Sequence, residues 1–161
     1  MKKLIYSLIV MLIFTNNSFS AGSSNDTSDK KSNYSKAYNL IQSAKKYEKK
    51  GKTEKSKKRY LKAQKLLLLS NKEKPLQADT LNYLGFTTRK LGDYKKGEEF
   101  YLQGLKIEPN HNGINEYLGE LYVVTNRIKL AKERLEILKS CDCDEYKELK
   151  EVIEGTKKSK Y

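Results

Sequence analysis

A recurrence at a spacing of 34 residues constrains this chain more than any other feature of its sequence. Small residues, a turn former and a large apolar residue follow Gly85 in fixed order, and the same order follows Gly119. The matched positions are Gly85, Gly92, Gly97 and Tyr101 in one copy and Gly119, Asn126, Ala131 and Leu135 in the next. A fixed period of this length indicates a repeat fold, in which each copy packs mainly against its neighbours.

A fainter third copy begins at Ala44, with Gly51 at the turn position and Tyr60 at the large apolar position. It lies 41 residues before Gly85 rather than 34, which indicates an insertion of about seven residues. We place the insertion at residues 69–74, immediately before Pro75, because proline ends a preceding helix.

The glycines of the repeat predict close contacts between helices. A glycine inside a helix costs about 1 kcal/mol relative to alanine, yet the pattern places Gly85 and Gly97 inside helices. We expect two helices to cross there so closely that a Cβ would hold them apart. Gly51-Lys52 and Gly92-Asp93 lie between apolar-periodic runs and predict the turns of antiparallel helical hairpins.

These residues resemble the tetratricopeptide repeat (TPR) family. The complete repeat is carried by Asn82-Tyr83-Leu84-Gly85, Leu91-Gly92-Asp93-Tyr94 and Glu108-Pro109-Asn110. Residues 112–144 resemble a second repeat, although Thr125-Asn126-Arg127 replaces the Gly-Asp pair, and residues 36–70 resemble a degenerate first one. The resemblance covers about three quarters of the chain. It implies an all-α, right-handed solenoid of about three helix-turn-helix repeats, with a concave groove that binds peptides or proteins and needs no cofactor.

The expected organisation begins with a signal peptide (1–20) and a disordered linker (21–33). A basic degenerate hairpin (34–74) and two repeats (75–110 and 111–143) follow, and a capping helix (144–155) and a basic tail (156–161) end the chain. Asp142 and Glu145 have the spacing of a capping box at the start of the last helix. A terminal helix of this kind covers the apolar surface that an end repeat would otherwise expose.

Residues 1–20 have the three-part pattern of a secretory signal peptide. Lys2 and Lys3 form the basic start, residues 4–14 are apolar, and Ser18 and Ser20 stand three and one before a cut after Ser20. The alternative is a retained membrane anchor, but a span needs about twenty apolar residues. We therefore expect a periplasmic or secreted protein with no transmembrane span after cleavage.

The net charge of +13 is concentrated in one segment. Residues 30–74 carry sixteen Lys or Arg and three acids, whereas residues 75–161 carry fifteen of each sign. In an exported protein this segment favours an anionic lipid or cell-wall polymer over nucleic acid, and a solvated face without a target is the remaining alternative. Tyr47 and Tyr60 lie among the lysines, but they occupy core positions of the repeat and do not favour base stacking.

The resemblance to TPR proteins implies which residues face the groove. The partner-binding candidates are Lys45, Lys49, Asn82, Phe86, Arg89, Lys90, Glu116 and Glu120. They change from basic to mixed to acidic along the stack, which suits an extended peptide of mixed charge. Ile41 and Tyr83 stand where some members carry polar residues that clamp a C-terminal carboxylate, so that clamp is not expected.

The residues that usually support catalysis are sparse. The chain has one histidine, His111, which we expect to be an exposed turn residue, and two cysteines. Four states remain open for Cys141 and Cys143: a local disulfide, an intermolecular disulfide, free thiols and metal ligation, of which the last lacks the four ligands that zinc prefers. Hydrophobic residues make up 37% of the chain, too few for a large enclosed cavity. We expect a non-enzymatic binding module without a metal site.

Overall fold

A computed structural model describes residues 32–159, and this part of the chain contains helices and turns but no strand. The helices are α1 (Asn33–Lys49), α2 (Thr53–Glu73), α3 (Ala78–Lys90), α4 (Tyr94–Ile107), α5 (Asn112–Val124), α6 (Ile128–Leu138) and α7 (Asp144–Ile153). The all-α class predicted from the sequence is confirmed. The predicted signal peptide (1–20) and nearly all of the predicted linker (21–33) lie outside the described residues.

The helices pack in consecutive pairs, α1 with α2, α3 with α4 and α5 with α6. The second helix of each of the first two pairs also contacts the first helix of the next pair, and α7 packs against both α5 and α6. A single cluster of buried apolar residues extends from Ala37 on α1 to Ala131 on α6. Each pair is therefore stabilised by its neighbour as well as by its own internal contacts.

The turn inside each pair contains one residue with a left-handed φ at the equivalent position. Gly51, Gly92 and Asn126, which occupy the predicted turn position of the three copies, have φ values of 67°, 99° and 59°. Glycine adopts this left-handed region freely, and asparagine is among the few other residues that tolerate it. After the second turn, Asp93 begins α4 by accepting a hydrogen bond from Lys96 N at 2.9 Å, the usual role of aspartate at this position.

The predicted close crossing of α3 and α4 is confirmed. A Cβ on Gly97 would lie 3.1 Å from the carbonyl oxygen of Gly85, and a Cβ on Gly85 would lie 2.6 Å from Cδ1 of Tyr101. Both distances are shorter than an ordinary carbon contact of about 3.5–4.0 Å. The helices can therefore approach this closely only because neither glycine carries a side chain.

The inserted residues of the first copy lengthen its second helix. α2 has 21 residues and α4 has 14, a difference of seven, which corresponds to about two turns. Of residues 69–74, in which we expected the insertion, residues 69–73 are helical. At the far end, Asn33 Nδ2 donates to Glu73 Oε1 at 2.7 Å and joins the start of α1 to the end of α2.

The start of α7 differs from the expectation. Asp142 has a left-handed φ of 43° and does not cap the helix; Cys143 occupies the N-cap position without a side-chain hydrogen bond. The predicted capping box is therefore wrong, because the chain turns through Asp142 before the helix begins. Cys141 and Cys143 are joined by a disulfide across this turn, which is the first of the four states considered.

Within residues 32–159, no helix combines the length and apolar character that crossing a lipid bilayer requires.

Candidate binding surfaces

The eight predicted groove residues lie on the first helices of the three pairs, but most of them are not exposed. Lys45 and Lys49 are on α1; Asn82, Phe86, Arg89 and Lys90 are on α3; Glu116 and Glu120 are on α5. Lys49 is exposed, Lys45 and Lys90 are partly buried, and the other five are buried. The expectation that these residues face solvent is therefore wrong for Asn82, Phe86, Arg89, Glu116 and Glu120.

Aromatic rings bury the middle of this surface. The Phe86 ring lies between the rings of Tyr60 and Tyr117, with centroid separations of 5.7 and 5.2 Å. Lys45 Nζ lies 4.7 Å from the Phe86 centroid, a distance at which a cation is attracted to the ring. Phe86 is thus a packing residue, and no local pattern in the sequence indicates its contact with Tyr117.

Arg89 supplies a positive charge inside a cluster of acids. Its Nη2 lies 3.7 Å from Glu120 Oε2, both side chains are fully buried, and its Nη1 donates to the carbonyl oxygen of Tyr117. Glu116, Glu120 and Glu148 bring carboxylate oxygens within 4.8 Å of one another, a spacing that a metal ion could bridge. Arg89 is buried beside Glu120, so these side chains form a buried ion-pair network in which the carboxylates outnumber the arginine.

The C-terminal residues cover the α5 end of the same surface. A Cβ on Gly119 would lie 2.5 Å from Cδ2 of Leu149, so the leucine of α7 occupies the space that this glycine leaves. Beyond α7, Ser159 Oγ donates to Glu120 Oε2 at 3.0 Å, and Lys157 Nζ lies 3.6 Å from Glu148 Oε1. The part of the basic tail up to Ser159 is therefore held against the helices.

Glu48 connects α1 to α2 and α3 at the α1 end of the surface. It accepts a hydrogen bond from Tyr60 Oη at 2.9 Å and pairs with Lys90 Nζ at 2.7 Å. Burial, and then the negative charge of Glu48, raise the pKa of Tyr60 above its ordinary value. Tyr60 therefore remains a neutral hydrogen-bond donor at physiological pH, and Lys90 is engaged by Glu48.

A separate groove, called here the α2–α4 groove, lies between α2 and the region where α3 turns into α4. It has a volume of about 730 Å³. Leu61, Leu68, Leu91 and Phe100 provide its apolar lining. Its charged lining consists of Lys57, Lys58 and Lys96 together with the acids Glu54 and Asp93. Leu61 and Leu68 are 46% and 48% exposed, so they form a stripe of apolar surface open to solvent on α2. Their seven-residue spacing could have revealed this stripe in the sequence.

The basic segment forms a cationic face on α1, α2 and their connecting turns. Between residues 32 and 74, twelve lysines are exposed. They are Lys36, Lys46, Lys49, Lys50, Lys52, Lys55, Lys57, Lys58, Lys62, Lys65, Lys72 and Lys74. The structure thus places most of the excess positive charge at the surface of one helical pair.

A third feature, called here the acidic pocket, lies among the N-terminal ends of α3, α5 and α7 and has a volume of about 380 Å³. The carboxylates of Asp79, Glu108, Glu116 and Glu145 line it, and no lysine or arginine among residues 32–159 does. Tyr83 also lines it, and burial, followed by the nearby Tyr38 and Asp79, raises its pKa to about 12. The pocket is therefore a negatively charged site on a strongly basic chain.

His111 lies at the edge of the acidic pocket and has a structural role. Its Nδ1 accepts a hydrogen bond from Ile114 N at 3.2 Å and thereby caps α5, and its Nε2 lies 3.2 Å from Asp79 Oδ1. Its side chain is 12% exposed. The expectation of an exposed turn residue is wrong, because the two nitrogens connect the start of α5 to the start of α3.

Comparison with known proteins gives one partial similarity. No protein-family model matches the chain. Over 73 residues it is 44% identical to the Sol locus transcriptional repressor of Clostridium acetobutylicum, a match that covers 43% of this chain and 23% of that protein. The matched region spans less than a quarter of the relative, so the similarity concerns a segment and not the whole repressor.

Proposed function

We propose that this chain is a non-enzymatic protein-binding module with the architecture of a right-handed TPR-like solenoid. The 34-residue recurrence, the three helical pairs and the left-handed residue at each equivalent turn support this architecture. The observation that carries the function is the α2–α4 groove, in which exposed leucines lie beside lysines. Exposed apolar surface with a charged border is typical of a surface that binds another protein.

The α2–α4 groove is lined by three lysines and two acids, Glu54 and Asp93, and this small excess of lysine favours an amphipathic helical segment with acidic residues as the partner. Leu61 and Leu68 lie two turns apart on one face of α2, about 10 Å along its axis. A partner helix with apolar residues at the same spacing would cover both leucines, and its acidic residues would meet Lys57 and Lys58. Binding here replaces the groove expected on the first helices, where five of the eight candidate residues are buried.

The non-enzymatic proposal is supported by the roles of the reactive side chains. His111 caps α5, and Cys141 and Cys143 form a local disulfide. We further propose that the module acts in the bacterial cell envelope, either in the periplasm or outside the cell, because of the signal-peptide pattern in residues 1–20. The similarity to a transcriptional repressor adds duplex DNA as a ligand that the binding experiments must include.

Site-specific photo-crosslinking tests the groove directly. A photoreactive phenylalanine analogue placed at residue 68 should yield a discrete protein adduct in the producing cell, and the same analogue at residue 102 should not. Leu102 is a matched control, because it is 42% exposed on α4 and does not line the groove. With the photoreactive residue placed at a second position in the groove, Leu68→Asn should lower the yield of the same adduct, whereas Leu102→Asn should not. Equal adducts from both positions would refute the groove as the binding surface.

The cationic face supports a second candidate function, attachment to an anionic envelope surface. Twelve exposed lysines on one helical pair would attract anionic lipid or cell-wall polymer through charge alone. This attachment should disappear at high salt and should survive Leu68→Asn. An affinity for anionic vesicles that is unchanged when Lys46, Lys50 and Lys72 are changed to glutamine would contradict it. Duplex DNA at the same salt concentration is the comparison that separates envelope binding from nucleic-acid binding.

A further inference from the structure

A pocket between α1 and α2, called here the basic pocket, collects four cations. It has a volume of about 350 Å³, and its lining residues are Leu40, Tyr47, Lys55, Lys58, Arg59 and Lys62. No carboxylate among residues 32–159 lines it. The cations lie along one stripe of α2, at steps of three, four and seven residues from Lys55. Like charges at such steps destabilise a helix, so the stability of α2 does not account for this arrangement.

Arg59 differs from the other three arginines of the chain in having unused donors. Arg89, Arg127 and Arg134 each donate hydrogen bonds to oxygen atoms of the protein. Within the described range, 32–159, the Arg59 guanidinium has neither a hydrogen bond nor an ion pair. It is partly buried, and its Cζ lies 5.3 Å from the centroid of the Tyr47 ring. The ring therefore holds the guanidinium in the basic pocket, and its N–H groups are open to an acceptor from outside.

The other two copies of the repeat do not collect charge at these positions. Lys55, Lys58, Arg59 and Lys62 of α2 correspond to Lys96, Glu99, Phe100 and Gln103 of α4 and to Leu130, Glu133, Arg134 and Ile137 of α6. Each of the later helices thus has one cation where α2 has four. In α4, Lys96 Nζ lies 2.7 Å from Glu99 Oε2, whereas α2 has two lysines at the equivalent positions. The repeat fold therefore does not require this charge, and the basic pocket belongs to the first helical pair alone.

We propose that the basic pocket binds a phosphate monoester, with Lys55, Arg59 and Lys62 as its cations and Leu40 and Tyr47 as the wall against the carbon chain of the ester. A phosphate monoester carries a charge of about −1.5 to −2 near pH 7 and presents three acceptor oxygens. The planar guanidinium can donate to two of these oxygens side by side, which an ammonium cannot do. The phosphate comes either from the headgroup of an anionic lipid or from a soluble ester. This inference rests on the proposed attachment through the cationic face, to which it adds a defined site.

The test is a titration of the full-length, ¹⁵N-labelled protein followed by NMR, in which the Nε–H group of each arginine gives its own signal. The Arg59 signal is the one that disappears in Arg59→Lys. The probes are glycerol 3-phosphate, dihexanoyl phosphatidic acid and succinate, a dicarboxylate of similar charge. Both phosphate esters should shift the Arg59 signal saturably, and succinate should bind more weakly. Tighter binding of phosphatidic acid than of glycerol 3-phosphate would identify a lipid headgroup as the ligand, and equal affinities would show that a soluble ester suffices.

Matched variants locate the binding. The pocket variant combines Lys55→Gln, Arg59→Gln and Lys62→Gln, and the control variant combines Lys46→Gln, Lys50→Gln and Lys72→Gln, three lysines that do not line the basic pocket. The pocket variant should bind glycerol 3-phosphate at least about tenfold more weakly, because it loses three ion pairs of about two- to fivefold each. The control variant should lose less than about twofold, because salt screens charges that do not touch the ligand. Circular dichroism should show intact helices in both variants. Equal weakening in the two variants, equal affinity for succinate, or equal shifts of all four arginine signals would overturn the proposal.

The same variants separate the basic pocket from attachment by charge alone. If the pocket variant loses phosphate binding but still binds anionic vesicles, the phosphate site is confirmed and the attachment needs only charge. If the unchanged protein binds glycerol 3-phosphate but no vesicle, the attachment is wrong and the basic pocket serves a soluble ester. Vesicle binding without any shift of the Arg59 signal by either ester would overturn the basic pocket and leave the attachment standing.

Discussion

The crossing of α3 and α4 can be tested by placing a side chain where the structure has room for none. In Gly85→Leu, the new Cβ would lie 2.6 Å from Cδ1 and 2.8 Å from Cζ of the Tyr101 ring. Carbon atoms in contact are normally about 3.5–4.0 Å apart, so the ring must move by roughly 1 Å for the Cβ alone. Three further carbons of leucine would then compete with Tyr101 for the same volume.

The expected loss follows from what Tyr101 contributes. Its side chain is fully buried, and removing a large aromatic side chain from a core costs about 3–5 kcal/mol. Leucine has a higher helix propensity than glycine, and this difference offsets up to about 1 kcal/mol of the loss. We therefore expect Gly85→Leu to lower the free energy of unfolding by about 2–4 kcal/mol, a large fraction of the ~5–15 kcal/mol typical of a small domain.

Urea unfolding followed by circular dichroism at 222 nm measures this loss, and a double-mutant cycle assigns it to the ring. Gly85→Leu combined with Tyr101→Ala should be more stable than the two separate losses predict, by about 2 kcal/mol, because the leucine then fills the vacated space. Gln103→Leu adds the same side chain at an exposed position of α4 and should change stability by less than about 0.5 kcal/mol. An unchanged midpoint for Gly85→Leu, or strictly additive losses in the cycle, would refute the close crossing.

Three further predictions concern side chains with unusual surroundings. Burial, followed by the nearby Tyr38 and Asp79, raises the pKa of Tyr83 to about 12. The neutral form of Tyr83 therefore stabilises the fold fully below about pH 10, the ordinary pKa of tyrosine. This contribution to stability should be lost as the pH rises from 10 to 12, so tyrosinate absorbance at 295 nm should rise together with the loss of helix. Complete ionisation of the tyrosines near pH 10 while the chain stays folded would contradict the prediction. Reduction of the Cys141–Cys143 disulfide should lower the free energy of unfolding by no more than about 1.6 kcal/mol, the chain-entropy value for so small a loop. A larger loss, measured by urea unfolding, would show that the disulfide stabilises more of the structure than this turn. Asn115→Ala should cost about 2 kcal/mol because its Nδ2 donates to two backbone carbonyl oxygens. Asn82→Ala, which removes an amide whose buried Oδ1 has no hydrogen-bond partner, should cost less than half as much. Equal losses in the two variants would contradict this difference.

The parts of the fold that could be predicted from the sequence depend on local rules. Gly92 and Asp93 specify a turn and a helix cap through their own backbone and side-chain preferences, and the structure has both there. Gly85 and Gly97 indicated a close crossing because glycine inside a helix otherwise has no benefit. Such features depend on few residues close in sequence, and repetition at 34 residues made them recognisable.

The burial of the predicted groove depends on contacts distant in sequence. Tyr117 packs on Phe86 from 31 residues away, and Ser159 donates to Glu120 from 39 residues away. Neither contact changes the local pattern of the helix that carries Phe86 or Glu120. The charged residues on the first helices therefore resembled an exposed face in the sequence, although Arg89 and Glu120 compensate each other inside the protein.

The seven extra residues of α2 have a geometric consequence that their number determines. Successive residues of a helix turn by about 100°, so seven residues fall only about 20° short of two full rotations. The end of α2 is displaced by about 10 Å along its axis, while the side chains before and after the addition keep nearly the same direction. The second helix of the first pair can therefore be lengthened or shortened in steps of seven residues while its buried side chains and its lysines keep their directions. A change of two or five residues would turn the following side chains to roughly the opposite side of the helix.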